Sequence, residues 1–157
     1  MIRIIVGTET GTAEFVADDI QALLEEHGIT ASVELTHDWF ASYQSAQANV
    51  SNVDATQETW LLCTSTHGAG DVPHNLKPFV DAVDAVPDLS AIKYAVIGLG
   101  DSSYDTYCEA AKKVDSLLKE KNADQLFDPI LADAMSDDLP EDIILPILTQ
   151  HLATLKS

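Results

Sequence analysis

Three short runs in this chain concentrate the residue types that can hold an anion beside a flat ring. The first is Gly7-Thr8-Glu9-Thr10-Gly11-Thr12-Ala13-Glu14, which follows the apolar run Ile4-Ile5-Val6 and opens a helical pattern. A strand that feeds a helix through such a turn leaves several backbone N–H groups at the helix N-terminus without partners. With the helix dipole behind them, those donors make a phosphate site. Thr8, Thr10 and Thr12 add hydroxyls at the same point. No Lys or Arg lies between Arg3 and Lys77, so an anion held here is held by neutral groups. The second run is Ser65-Thr66-His67-Gly68-Ala69-Gly70-Asp71 and the third is Gly98-Leu99-Gly100-Asp101-Ser102-Ser103-Tyr104. Taken singly, His67, Tyr104 and Tyr107 are ordinary packing or surface residues. Together they place aromatic rings in two of the loops. A flat ligand between His67 and Tyr104, with its phosphate in the first run, uses all three.

Other chemistries fail on the same residues. A nucleotide-triphosphate loop needs Gly-x-x-x-x-Gly-Lys-Ser/Thr, whereas Ala13 stands two places after Gly11 and no Lys follows. A monophosphate ester fits better. Gly98-Leu99-Gly100 begins like a dinucleotide fingerprint, but Ser103 replaces the third Gly and the run follows the fourth strand instead of the first. A receiver domain needs acidic residues after strand one and an Asp ending strand three; here those places hold Gly7-Thr8-Glu9 and Cys63-Thr64-Ser65. His37, His67, His74 and His151 are scattered without metal-ligand spacing, and Cys108 has no base beside it.

Alternating strand-like and helix-like segments must position the three runs, which predicts an α/β domain with a mostly parallel sheet. A helix over about Gly11 to His27 carries Val16, Ile20, Leu23 and Leu24 on one face, with Gly28 as its C-cap. Ala31 to Leu35 alternates like a strand, and His37 to Glu58 is polar and weakly patterned, read as loops with a short helix. Thr59 to Thr64 is a central strand, and a helix carrying Leu76, Phe79, Val80 and Val83 follows it. Tyr94 to Ile97 is the fourth strand, with a helix from about Thr106. Leu126 to Leu131 is a short fifth strand interrupted by Pro129. The last helix runs from about Pro140 to Leu155, where Pro146 is expected to kink it or to mark its start.

The 157 residues are 46% apolar, enough for one core, so a single domain over 1–157 is expected. Eight Lys and Arg against 26 Asp and Glu give a net charge of −18. That argues against nucleic acid or an anionic membrane as partner and permits a basic protein reached by electrostatic steering. The same charge also suits solubility or a high-salt habitat. No apolar run approaches the roughly 20 residues that span a bilayer. The start, Met1 to Val6, lacks the layout of a signal peptide, which makes a cytoplasmic location the expectation. Cys63 and Cys108 have no CxxC companion and are read as reduced thiols.

The three runs, with the third extended through Asp105-Thr106-Tyr107-Cys108, resemble the three flavin mononucleotide (FMN) loops of the flavodoxin family. The likeness spans essentially the whole chain. The second run, continuing into Asn75-Leu76-Lys77-Pro78-Phe79, is most similar to the short MioC-like members, as is the absence of an insertion between Gln125 and Asp133. The resemblance implies a flavodoxin-like doubly wound five-stranded parallel sheet of order 2-1-3-4-5, with helices on both faces. It implies that Thr8, Glu9, Thr10, Gly11, Thr12 and Ala13 wrap the FMN phosphate and that Tyr104 stacks on the flavin. Thr66, Asp101 and the backbone around Leu99, Gly100, Tyr107 and Cys108 would meet the ribityl chain and pyrimidine edge. Ser65, His67 and Gly70 belong to the second loop, in which the Gly68 carbonyl would turn toward flavin N5–H. His67 departs from the Trp or Tyr that many carriers place on the inner flavin face, and Ala13 replaces a frequent hydroxyl.

The implied function is a low-potential carrier that passes single electrons from a basic NADPH-dependent flavodoxin/ferredoxin reductase to basic acceptor enzymes, and is not itself an enzyme. Two other readings share the cofactor. The stand-alone FMN domain of a diflavin reductase is disfavoured because the chain begins at its first strand and ends with its last helix. A flavodoxin-fold NAD(P)H:quinone reductase is disfavoured because there is no further nicotinamide motif and no long insertion.

Overall fold

The computed structural model describes residues 2–7, 12–35, 58–65, 76–85, 89, 92–100, 109–133 and 137–156. Six strands lie among them: β1 (Ile2–Gly7), β2 (Ala31–Leu35), β3 (Glu58–Ser65), β4 (Ile92–Gly100), β5 (Asp124–Gln125) and β6 (Ile130–Asp133). The helices are α1 (Thr12–Glu26), α2 (Lys77–Ala85), α3 (Glu109–Glu120), α4 (Pro140–Gln150) and α5 (Leu152–Lys156). The sheet runs β2-β1-β3-β4-β5, with β6 also on β4, and every pairing is parallel. This is the expected doubly wound order. The weakly patterned stretch His37–Glu58 falls largely outside the described residues, as does the start of the helix expected from Thr106.

The central strands are apolar on both faces because helices cover both. Ile4, Val6, Leu61, Cys63, Ala95 and Ile97 join one core with Val16, Ile20 and Leu24 of α1 and with Ile144 and Leu148 of α4. Their alternate neighbours Ile5, Trp60, Leu62, Tyr94 and Val96 join the other core with Phe79 and Val83 of α2 and with Val114 and Leu118 of α3. That two-sided burial explains why these segments read as continuous apolar runs. Trp60 meets Phe79 edge to face, ring centroids 5.8 Å apart at 73°.

Helix α1 stops as its sequence predicts. Gly28 takes φ +80°, its N–H donates to Glu25 O at 3.1 Å, and Ile29 N donates to Leu24 O at 2.9 Å. This paired closure needs a left-handed residue, which glycine supplies without steric cost.

Two sequence readings are corrected. The expected fifth strand over Leu126–Leu131 is instead two short strands on either side of a bulge. Gln125 is opposite Tyr94, and Ile130 is opposite Ile97. Four residues, 126–129, therefore span the gap that only residues 95 and 96 span on β4. Leu126 N still donates to Tyr94 O at 2.8 Å, but Pro129 has no N–H to continue the ladder. The other correction concerns Pro146, which does not mark the start of the last helix but lies inside α4, which begins at Pro140. Its ring is exposed, so water can reach the carbonyl that loses its donor. The chain breaks later, at His151, whose N–H donates to Leu148 O at 2.9 Å and whose ring stacks on Phe127 with centroids 4.2 Å apart.

Candidate functional site

The strand order places the site. From β1 the chain passes outward to β2 on one side, while β3 lies on the other, so the order reverses between β1 and β3. Ligands of open parallel sheets bind at the carboxyl ends of the strands beside such a reversal. Here the carboxyl ends are Gly7, Ser65 and Gly100, on three adjacent strands. Gly7 pairs with Thr64, and Ser65 with Leu99. Neighbouring strands lie about 4.8 Å apart, so the three connecting segments leave one edge within about 10 Å.

The wall between the first two segments is tight. A Cβ built on Gly7 would lie 2.8 Å from Leu76 Cβ and 3.0 Å from Thr64 Oγ1. Leu76 is fully buried one residue before α2. The return point of segment 66–75 therefore presses against the exit of segment 8–11. Thr64 is buried as well, and its hydroxyl donates to Ser65 O at 3.0 Å. Only glycine leaves room for this approach.

The first turn of α1 is seated by another contact. Cys63 Sγ donates to Ala13 O at 3.6 Å, and both residues are wholly buried. Burial pushes the Cys63 thiol up to about 12, so it stays protonated and able to donate. Ala13 packs into the core below α1. Its side chain serves packing, and the helix end above it offers the unpartnered N–H groups of any first turn. Arg3, the first basic residue, lies four residues back along β1, about 13 Å from this edge. Lys77 is exposed at the first position of α2.

Of the residues expected at the site, the described ones are Thr12, Ala13, Ser65, Leu99 and Gly100. The structure brings these to one sheet edge: Thr12 opens α1, Ser65 and Gly100 end β3 and β4, and Leu99 is 6% exposed in the core under α1 and α4. Thr8, Glu9, Thr10, Gly11, Thr66, His67, Gly68, Gly70, Asp101, Tyr104, Tyr107 and Cys108 lie outside the described residues. Sequence reasoning did not single out Thr64 and Leu76 as wall residues. The available signal was a glycine ending a buried strand, which marks a close approach of something.

The arrangement suits a flat ligand with a phosphate: a helix N-terminus at the reversal point, a glycine-tight wall, and two further segments leaving the same edge. Among the described residues there is no cluster of ligating side chains fit for a metal ion and no helix long and apolar enough to cross a membrane. A groove of about 460 Å³ beside Phe127, Pro129, Ile147 and His151 follows the β5–β6 bulge, apart from this edge.

Comparison with known proteins shows the family. The model of the flavodoxin family matches residues 4–145. Protein MioC of Escherichia coli O157:H7 is 38% identical over 142 residues, covering 90% of this chain and 88% of that protein. A MioC homolog of Haemophilus influenzae is 36% identical over 99% of both chains. A cysteine-to-alanine mutant of flavodoxin from Pseudomonas aeruginosa has a closely similar structure, with a TM-score of 0.82, 34% identity and 99% of each chain covered.

Proposed function

The chain belongs to the flavodoxin family of electron-transfer flavoproteins, and on that premise we propose that it binds FMN and carries single electrons in the cytoplasm between a basic NADPH-dependent reductase and basic acceptor enzymes. The observation that carries the choice of FMN is the edge formed by Gly7, Thr64, Leu76 and the start of α1. It offers one helix N-terminus and no P-loop lysine, which suits a monophosphate. FMN, when bound, supplies one-electron chemistry at its ring, and the protein supplies binding, orientation and electrostatics.

In this reading Thr8, Glu9, Thr10, Gly11, Thr12 and Ala13 surround the phosphate through hydroxyls and backbone N–H groups. Ser65, Thr66, His67, Gly68 and Gly70 form one wall of the ring pocket. Leu99, Gly100, Asp101, Tyr104, Tyr107 and Cys108 form the other, with Tyr104 stacked on the ring. Neutral phosphate ligands and a chain charge of −18 disfavour further negative charge in the pocket, which keeps the potential low. The acidic surface repels nucleic acid and anionic membranes, and it steers basic partners.

The test is the visible absorption spectrum of the purified protein, before and after adding FMN. Flavin bands that survive gel filtration are expected, and their absence after FMN addition would end the proposal. The FMN-loaded protein should not oxidise NADPH at a useful rate unless a reductase is added. Rapid turnover with a quinone alone would favour a reductase instead.

A further inference from the structure

We propose that the first turns of α1 and α4 together form the docking face for a basic redox protein, with Phe15 and Leu139 as its apolar anchors. The inference deepens the carrier role above and rests on it. Phe15 is 73% exposed and Leu139 59% exposed, the large apolar side chains left in solvent among the described residues. Both sit at the same edge of the molecule. Helix α1 leaves the carboxyl end of β1, and α4 follows the carboxyl end of β6, whose last residue Asp133 pairs with Gly100. The far end of α4 lies back along the sheet, because His151 stacks on Phe127 ahead of β6. The two helices pack against each other over one core. Their N-terminal turns therefore flank each other at the edge where the cofactor segments leave.

Neither anchor is explained by folding. The inner face of α1 is already complete with Ala13, Val16, Ala17, Ile20 and Leu24, and Phe15 points away from it. Leu139 occupies an N-cap, where Ser, Thr, Asp or Asn would bond the helix end, and it makes no side-chain cap bond. Isolated exposed apolar residues are common, but here two lie on adjoining turns inside a strongly charged rim.

The rim identifies the occupant. At 100° per residue, Asp18, Asp19, Glu25 and Glu26 share the face of Phe15, and all are exposed. Asp137 and Asp142, also exposed, flank Leu139. An apolar centre inside a polar rim is the layout of a transient protein interface. The rim's sign selects a partner in which Lys and Arg surround an apolar hollow. Phosphate-bearing surfaces are repelled by the same carboxylates.

The test titrates a purified basic NADPH-dependent ferredoxin reductase, as probe, into ¹⁵N-labelled, FMN-loaded protein at low salt. Amide shifts concentrated in residues 13–19 and 137–142 are expected. Phe15→Ala and Leu139→Ala should each weaken binding about threefold to tenfold, with little change in its salt dependence. Phe15→Leu should restore most of the loss. Asp18→Asn with Asp19→Asn should instead flatten the salt dependence. All these positions are exposed, and unchanged FMN affinity and thermal midpoint will show that each variant folds. Binding that leaves residues 13–19 and 137–142 unshifted, or that is within twofold for Phe15→Ala/Leu139→Ala, would overturn this face and leave the carrier role standing. No binding by the unmodified protein would overturn the basic reductase partner and the face together.

Discussion

Gly7 and Leu76 stand so close that a methyl group on Gly7 would lie 2.8 Å from Leu76 Cβ. The contact joins the end of β1 to the start of α2, the exit of one proposed cofactor segment to the return of another. In the proposed reading, the phosphate and ring segments are thereby tied to each other by the Leu76 side chain packed on the Gly7 backbone. A change on either side of the contact moves both.

Gly7→Ala should therefore destabilise the protein and loosen the cofactor. Forcing a methyl into a closed contact costs about 1–3 kcal/mol, and Thr64 Oγ1 at 3.0 Å leaves no sideways escape. Urea unfolding should show the loss, and a fluorescence titration should show a raised Kd for FMN. Wild-type stability would refute the close packing, and an unchanged Kd would refute the coupling.

Asp115 provides a second test, remote from the site. Its Oδ1 accepts from Tyr94 Oη at 3.0 Å and from Gln125 Nε2 at 2.8 Å, while Oδ2 pairs with Lys119 Nζ at 3.2 Å. The carboxylate thus ties α3 to β4 and β5, and it compensates for the shortness of β5. Burial, with Asp115 beside it, holds the Tyr94 hydroxyl far above its usual range. Asp115→Ala leaves a buried hydroxyl poorly satisfied and should cost about 1–3 kcal/mol. Lys119→Ala, at a half-exposed ammonium, should cost under about 0.5 kcal/mol. Equal losses in denaturant unfolding would refute this division.

What the sequence discloses follows from how local each signal is. The buried strands β1, β3 and β4 were legible because both faces are covered, so each reads as an apolar run. The α1 ending was legible because Gly28 closes it alone. The β5–β6 bulge was not, because it depends on how four residues match two on β4. Pro146 left a kink and a helix start both open, because its cost depends on whether the freed carbonyl meets solvent, and the ring lies on the exposed face. The loop residues pointed to a phosphate and a ring by their types alone, and most of them lie outside the described residues. The Gly7–Leu76 wall did not announce itself, since a contact between distant segments has no period to reveal it.

Leu139 is the place where a substitution should stabilise. As the N-cap of α4 it supplies only its carbonyl, which accepts from Asp142 N at 3.0 Å and Ile143 N at 3.2 Å. Leu139→Ser adds a side-chain acceptor for an unpartnered first-turn N–H and removes an exposed isobutyl group. Thermal unfolding should show a gain of about 0.5–2 kcal/mol. A loss of stability would mean that Leu139 packs in solution, contrary to its exposure.

Cys63 sets the alkaline limit. Its thiol, raised by burial from 9.0 to about 12, keeps its proton in the folded state across a range where the unfolded chain gives it up. Above pH 9 the unfolded state therefore binds fewer protons, and stability must fall as pH rises. The stabilisation is fully present below pH 9 and is lost progressively toward pH 12, at about 1.4 kcal/mol per pH unit in the middle of that window. Tyr94, also raised, adds loss of the same sign above pH 10. Urea midpoints at pH 8, 10 and 11 should decline, and Cys63→Ala should remove about one proton from that dependence while costing a roughly constant amount at pH 8 from the lost contact with Ala13. The same burial predicts a thiol inert to a disulfide reagent at pH 8 until urea unfolds the chain. Rapid labelling of Cys63 in the native protein, checked by mapping the modified peptide, would show that the first turn of α1 opens and that its seat on β3 is not closed.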